Sequence, residues 1–208
     1  MLAIVDYGVG NLFSLKSSLA AMGAQVVVTD DPAVLAEADH ILLPGVGAFG
    51  DAAKKLRDVG LDQVLIRLAK QGKPLLGICL GMQLLFEKGY EYGEHAGLGL
   101  IRGSVVSMAG VIPADYKIPH IGWNALHIQK ENPLLSGIQQ NDCVYFVHSF
   151  YATDCDDAVI ATTEYGAELT AAVAYRNVYG CQFHPEKSGK VGLAILKAFL
   201  EIKEEQPW

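Results

Sequence analysis

Residues 74–87 read PLLGICLGMQLLFE, and the period of the apolar residues changes within the stretch. Pro74 to Ile78 is apolar on both faces, as a buried parallel strand is, whereas the residues after Cys79 fit a helix. Gly77 and Gly81 stand two residues to either side of Cys79. A G-x-C-x-G at such a switch has the form of a nucleophile elbow, in which a strained turn holds one side chain clear of the carboxyl edge of a sheet. Side chains beside the nucleophile would collide with the turn, which is the reason for the glycines.

The flanking sequence supplies the sheet. "LAIV" (2–5), "QVVVT" (25–29) and "HILLPG" (40–45) read as further buried strands. Helical patterns over Asn11 to Met22, Pro32 to Ala38 and Ala48 to Lys70, the last broken near Gly60, alternate with them. The expected fold is therefore α/β, a doubly wound, mostly parallel central sheet flanked by helices. After about Gly93 the texture turns to strand-like pieces, "GLIRGSVVSM", "CVYFVHSFYA", "AVIATTEYG", "LTAAVAYRN" and "VYGCQFHPE", expected as an antiparallel extension of the same sheet. Ser188 to Glu204 places Val191, Ile195, Ala198, Phe199 and Ile202 at helical spacing and should close the fold. No Pro/Gly/Ser linker divides the chain, so residues 1–208 are expected to form a single domain.

Composition narrows the partners. The 208 residues suffice for a substantial core. Sixteen basic against 23 acidic residues give a net charge of −7, a surface repelled by nucleic acid and by anionic membrane. The amino terminus "MLAIVDYG" lacks a basic leader, and no stretch free of charged residues is longer than the 13 residues of Pro74 to Phe86. Spanning a bilayer takes about 20, so a soluble cytoplasmic protein is expected. Cys79, Cys143, Cys155 and Cys181 form no CxxC pair and the six histidines no HxxxH, so neither a metal site nor a disulfide framework is expected, and no cofactor is called for.

Position alone does not activate the thiol. At pH 7 about 3% of an ordinary cysteine is thiolate, and reaching half requires a shift of roughly 1.5 units, or about 2 kcal/mol. A helix amino terminus supplies typically about 0.3–1 kcal/mol. A histidine is needed, and without one Cys79 reads equally well as a small buried hydrophobe.

"YGCQFHPEKS" (179–188) offers one. His184 and Glu186 are two apart in a strand-like run, and Pro185 favours extended geometry before it, so both side chains can lie on one side. A carboxylate beside an imidazole fixes its tautomer and supports the imidazolium. Read alone, the same residues also fit a solvated turn. In "LPGVGAFGD" (43–51), glycines end a strand just before a helix, where free N–H groups can form part of an oxyanion hole with the N–H of Leu80. An ordinary tight turn uses them too. "IVDYGVGNLFSL" imitates a dinucleotide fingerprint with Gly8, Gly10 and Asp30, but Phe13 stands where the third glycine belongs.

With these motifs assembled, the chain resembles the triad glutamine amidotransferases, and among them the glutaminase subunits of imidazole glycerol phosphate synthase. "DYGVGNLFS", "LPGVGAFGD", "GICLGMQLLFE", "PHIGWN", "YFVHSFY" and "CQFHPEKS" carry the resemblance in order along nearly the whole length. It implies that Cys79, His184 and Glu186 form a triad that hydrolyses glutamine through a glutamyl thioester. It also implies an oxyanion hole from Gly45, Val46 and Leu80, and substrate contacts from Gly47, Gln83, Glu91, His148, Ser149 and Phe150. Ammonia is then expected to pass to a separate (β/α)8 cyclase subunit of histidine biosynthesis, bound as a heterodimer. Asn11, His120, Trp123, Asn124 and Lys187 would contribute to that interface. Because Val46 separates Gly45 from Gly47, where standalone relatives have adjacent glycines, the Gly45-Val46 peptide is expected to reorient when the partner docks. A cysteine hydrolase of another amide and a nucleotide-binding module are the competing readings.

Overall fold

A computed structural model describes residues 1–208. Its first half alternates strand and helix: β1 (Leu2–Val5), α1 (Leu12–Ala21), β2 (Val26–Thr29), α2 (Pro32–Glu37), β3 (His40–Leu43), α3 (Phe49–Asp58), α4 (Leu61–Lys70), β4 (Leu75–Ile78) and α5 (Leu80–Leu84). Gly60, at φ 71°, is the break between α3 and α4. The second half is mostly strand: β5 (Phe86–Gly89), β6 (His95–Ala96), β7 (Ile101–Ser107), β8 (His120–Ala125), β9 (His127–Ile128), β10 (Cys143–His148), β11 (Phe150–Thr153), β12 (Val159–Glu164), β13 (Glu168–Tyr175) and β14 (Val178–Cys181), closed by α6 (Gly189–Glu201).

Eight strands form the central sheet in the order β2-β1-β3-β4-β14-β13-β12-β9. The pairs from β2 through β14 are parallel, and those from β14 to β9 are antiparallel. Alternation along the parallel strands sends side chains to opposite layers. Ala3, Val5, Ile41, Leu43 and Leu75 pack with α2, α3 and α4, whereas Leu2, Ile4, Leu42, Leu76 and Ile78 pack with α1 and α6. That is the doubly wound arrangement.

The antiparallel extension is smaller than expected. "AVIATTEYG", "LTAAVAYRN" and "VYGCQFHPE" join the central sheet as β12, β13 and β14, but "GLIRGSVVSM" and "CVYFVHSFYA" do not. β7 and β11 belong to a separate sheet of order β11-β7-β5-β6, and β10 pairs only with β8. The reason lies in their exposure. β7 and β10 alternate between buried and accessible residues, as strands with one wet face do, while β14 is buried throughout. A further departure follows the elbow, where the helix lasts only five residues before Phe86 starts β5.

The chain terminus returns to the amino ends of β4 and β14. Trp208 Nε1 donates to the buried Asn177 Oδ1 at 2.7 Å, and Asn177 Nδ2 donates to the carbonyls of Ala69 and Lys73, each at 2.8 Å. No helix is long and apolar enough to cross a membrane.

Candidate active site

The carboxyl ends of β3, β4 and β14, neighbours in the sheet, bring three loops together, the usual place for a site in an open α/β sheet. Cys79 follows β4 with φ 54° and ψ −113°, a backbone that residues with a Cβ rarely adopt. What holds it there is close main-chain packing. A Cβ on Gly77 would stand 2.6 Å from the main chain of Gly81, and one on Gly81 would stand 1.9 Å from the Leu43 carbonyl oxygen. Cys79 N–H also donates to the Cys181 carbonyl at 2.7 Å, locking the elbow to β14.

Beyond Cys181, β14 runs on into Gln182, Phe183 and His184. His184 N–H donates to the Tyr145 carbonyl at 2.9 Å, and the Ser188 hydroxyl donates to the His184 carbonyl at 2.6 Å, so the imidazole is carried on fixed main chain. Its Nδ1 meets Glu186 Oε1 at 2.8 Å, with both side chains about 95% buried. Glu186 Oε2 is buried without a partner, so the carboxylate is committed to His184 alone. Burial pulls the His184 pKa down, but Cys79 and Glu186 outweigh it and raise the group to about 9. An imidazolium beside the sulfur is the favoured state at neutral pH.

Cys79, His184, Leu80 and Val46 line one cleft of about 320 Å³ together with Gly47, Gln83, Glu91, His148, Ser149 and Phe150. All six residues expected to contact substrate thus face the same space. Gly45 is the exception among the oxyanion candidates. It is buried against Leu80 and Tyr7, and the loop reaches the cleft through Val46, which is 45% exposed, and Gly47. One Glu91 oxygen is already engaged, accepting from Phe49 N–H at 2.8 Å at the start of α3, which has no side-chain cap of its own.

Sequence reasoning missed two residues here. Gln83 Nε2 donates to the Phe150 carbonyl at 3.1 Å and to Gln182 Oε1 at 3.0 Å, and the buried Gln182 turns its own amide nitrogen to Cys79 Sγ at 3.8 Å. The signal was present, since Gln182 precedes His184 by two in an extended run and so shares its side. Tyr7 is the second. Its hydroxyl donates to the Pro44 carbonyl at 2.8 Å, holding the loop after β3, and burial pushes its pKa up, with Cys79 adding to the shift.

The residues expected at an interface divide. Trp123 is 56% exposed, Lys187 and Asn11 are exposed, and the Lys187 ammonium lies 5.9 Å from the Tyr145 ring. His120 must be corrected. It is fully buried, stacked on Tyr165 and Phe146, and it cannot touch a partner because in β8 the side chains alternate, His120 pointing inward while Ile121 and Trp123 point outward. Asn124 is half-buried with its amide spent on His120 and the Glu164 carbonyl. The glycine turn at 8–10 is closed on itself, Gly8 N–H donating to Asp6 Oδ1 at 3.1 Å, and Gly10 backs onto Pro44.

Residues 3–202 match the model of the family described as glutamine amidotransferase class-I. The chain belongs to that family. Among class I amidotransferases it is 50% identical to imidazole glycerol phosphate synthase subunit HisH of Aquifex aeolicus, across 97% of each chain. It is 48% identical to the HisH subunit of Wolinella succinogenes, over 97% of this chain and all of that one. Among solved structures, one described as a glutamine amidotransferase superposes with a TM-score of 0.74 at 20% identity, covering 96% of this chain and 97% of the other. PurLQS from Thermotoga maritima also gives 0.74, at 22% identity over 96% of each chain. These structural likenesses concern the fold.

Proposed function

We infer that this chain is the glutaminase subunit of imidazole glycerol phosphate synthase, hydrolysing glutamine and passing ammonia to a cyclase subunit in histidine biosynthesis. The observation that carries the reading is the elbow cysteine facing, in one cleft, an imidazole bonded to a buried carboxylate. The near-full-length identity to HisH subunits supports the particular synthase.

In this reading His184 carries the Sγ proton as the imidazolium, and the sulfur of Cys79 attacks the side-chain carbonyl carbon of glutamine. The carbonyl oxygen becomes an oxyanion, received by the N–H groups of Leu80 and of the Gly45-Val46-Gly47 loop once the latter has turned. The C–N bond then breaks, His184 returns the proton to the departing nitrogen, and ammonia leaves a thioester on Cys79. Water, deprotonated by His184, attacks the thioester and releases glutamate. Glu186 orients the ring through both halves. Gln83, His148, Ser149 and Phe150 hold the amino-acid end of the substrate, with Glu91 near its ammonium group. Ammonia is useful only if kept from protonation, which calls for a docked partner over the cleft. We assign that role to a (β/α)8 cyclase subunit seated on the face bearing Trp123, Lys187 and Asn11, in a cytoplasmic heterodimer.

The test is covalent labelling with an electrophilic diazoketone analogue of glutamine followed by peptide mapping. Modification at Cys79, blocked by glutamine, is expected. Labelling at the exposed Cys143 instead would remove the assignment.

A further inference from the structure

Two histidines outside the triad are buried side by side, at the start of β8 and the end of β10, where they form one register pair. Four polar contacts run through them in series. His148 Nδ1 meets the Phe150 carbonyl oxygen at 2.9 Å, His148 Nε2 meets His120 Nδ1 at 3.0 Å, and His120 Nε2 meets Asn124 Oδ1 at 2.8 Å. Asn124 Nδ2 then donates to the Glu164 carbonyl oxygen at 3.0 Å.

Both ends of this series are main-chain carbonyls, which accept hydrogen bonds and never donate them. The Phe150 end therefore requires a hydrogen on His148 Nδ1. The Glu164 end turns the Asn124 amide nitrogen outward, so its oxygen faces His120 and requires a hydrogen on Nε2. The contact between the rings requires a third. Two neutral imidazoles carry two hydrogens between them, and with only two, lone pairs would confront each other at one of the contacts.

We propose that His120 and His148 share one extra proton, and that this charged pair positions the Val147–Phe150 edge of the glutamine cleft by tying it to β8. The second half of the proposal rests on the glutaminase reading above. The tie reaches the cleft directly, because the Phe150 carbonyl that receives His148 also receives Gln83. Aromatic faces stabilise the cation: His120 is stacked on Tyr165 at 4.0 Å and on Phe146 at 4.9 Å between ring centres.

Nothing anionic neutralises the pair. His184, across the cleft, opposes a positive charge on His148. From the β12 side, Tyr165 gives its hydroxyl hydrogen to the Lys117 carbonyl, and the Glu164 carboxylate turns to Gly166 N–H. Glu91 and Cys79 line the same cleft, and neither is hydrogen-bonded to a ring of the pair. Burial pushes His148 down to about 4 and also lowers His120. Hydrogen-bond geometry thus holds the proton against desolvation, and the pair releases it as pH rises. One contact then opens and the cleft edge loosens.

The experiment is long-range proton–nitrogen NMR of the full chain carrying 15N-histidine, at pH 6, with His120→Phe used for assignment. Hydrogens on three of the four ring nitrogens of His120 and His148 are expected; two would overturn the proposal. In parallel, KM for glutamine is measured on the complex with the cyclase subunit. We expect it to rise about three- to tenfold between pH 6 and pH 8, the equivalent of one net hydrogen bond. His120→Phe should show the high KM at both pH values, with the pH profile of kcat unchanged. A flat wild-type KM would overturn the positioning role even if three hydrogens were found. Absence of glutaminase activity would remove the functional reading and leave the nitrogen count standing, and because that count is made on the wild-type chain, a variant that does not fold leaves the test intact.

Discussion

Gly81 faces the Leu43 carbonyl oxygen so closely that an added Cβ would lie 1.9 Å from it. The end of β3 and the start of α5 are therefore one unit, and the proposed oxyanion loop and the proposed nucleophile share a foundation. Gly81→Ala is expected to lower stability by about 2–4 kcal/mol, a fall in Tm of roughly 5–15 °C, and to cut glutaminase activity at least about a hundredfold. Thermal denaturation beside steady-state kinetics checks both, and a variant melting with the wild type would refute the packing argument.

The backbone at Cys79 is strained in the interest of reactivity. At φ 54° the ordinary ranking of side chains should invert, so that Cys79→Gly is more stable than Cys79→Ala by about 1–2 kcal/mol, although both are inactive. Chemical denaturation of the two variants decides the sign.

His184 supplies the pH dependence. Its pKa, raised to about 9 in the fold against about 6.5 unfolded, means that its contribution to stability is fully present below pH 6.5 and is lost as pH rises through 9. Wild-type stability should fall across that window by on the order of 3 kcal/mol. Glu186→Gln removes one of the two groups that hold the proton. The fall should be smaller in this variant, and the alkaline limb of kcat should move to lower pH. An unshifted limb would separate Glu186 from the imidazole.

Gln182 directs an amide hydrogen to Cys79 Sγ at 3.8 Å, where it can steady negative charge that develops on the sulfur in the proposed reaction. Gln182→Leu is expected to reduce kcat/KM about tenfold and to slow alkylation of Cys79 by iodoacetamide at neutral pH. Gln182→Glu should do more harm, because a carboxylate there opposes the negative sulfur. Alkylation rates as a function of pH measure this independently of substrate binding.

Trp123, more than half exposed on β8, is expected to anchor the cyclase subunit. Trp123→Ala should weaken the complex by about 2 kcal/mol or more while leaving Tm of the isolated chain within about 2 °C. Calorimetric titration provides the measurement.

The layered sheet was legible because strands buried on both faces announce themselves as unbroken apolar runs, and the elbow because glycines bracket a cysteine where the apolar period changes, with His184 and Glu186 elsewhere in the chain to complete it. β5 and β8 were not. Phe86 still ends the apolar run of the preceding helix and only Glu87, Lys88 and Gly89 follow it, while β8 alternates with its apolar Ile121 and Trp123 on the exposed side, so hydropathy points the wrong way. His120 was misplaced for the same reason. Its neighbours are exposed, and only the pairing of β8 with β10, which sets His120 against His148 across 28 residues, turns its ring inward. Gln182 was within reach of period-two reasoning, but its partner Gln83 lies on another element, and a bond across 99 residues leaves no trace in local spacing.

The two tryptophans stand in separate surroundings. Trp123 looks outward from β8, with Tyr145 beside it at 6.1 Å, while Trp208 is folded against Tyr175 and Asn177 by the amino end of β14. The chain consequently carries two optical reporters that answer different questions. In Trp208→Phe the remaining emission follows events at the docking face, and in Trp123→Phe it follows release of the terminal segment, so partner binding and the onset of unfolding can be timed separately without any added dye.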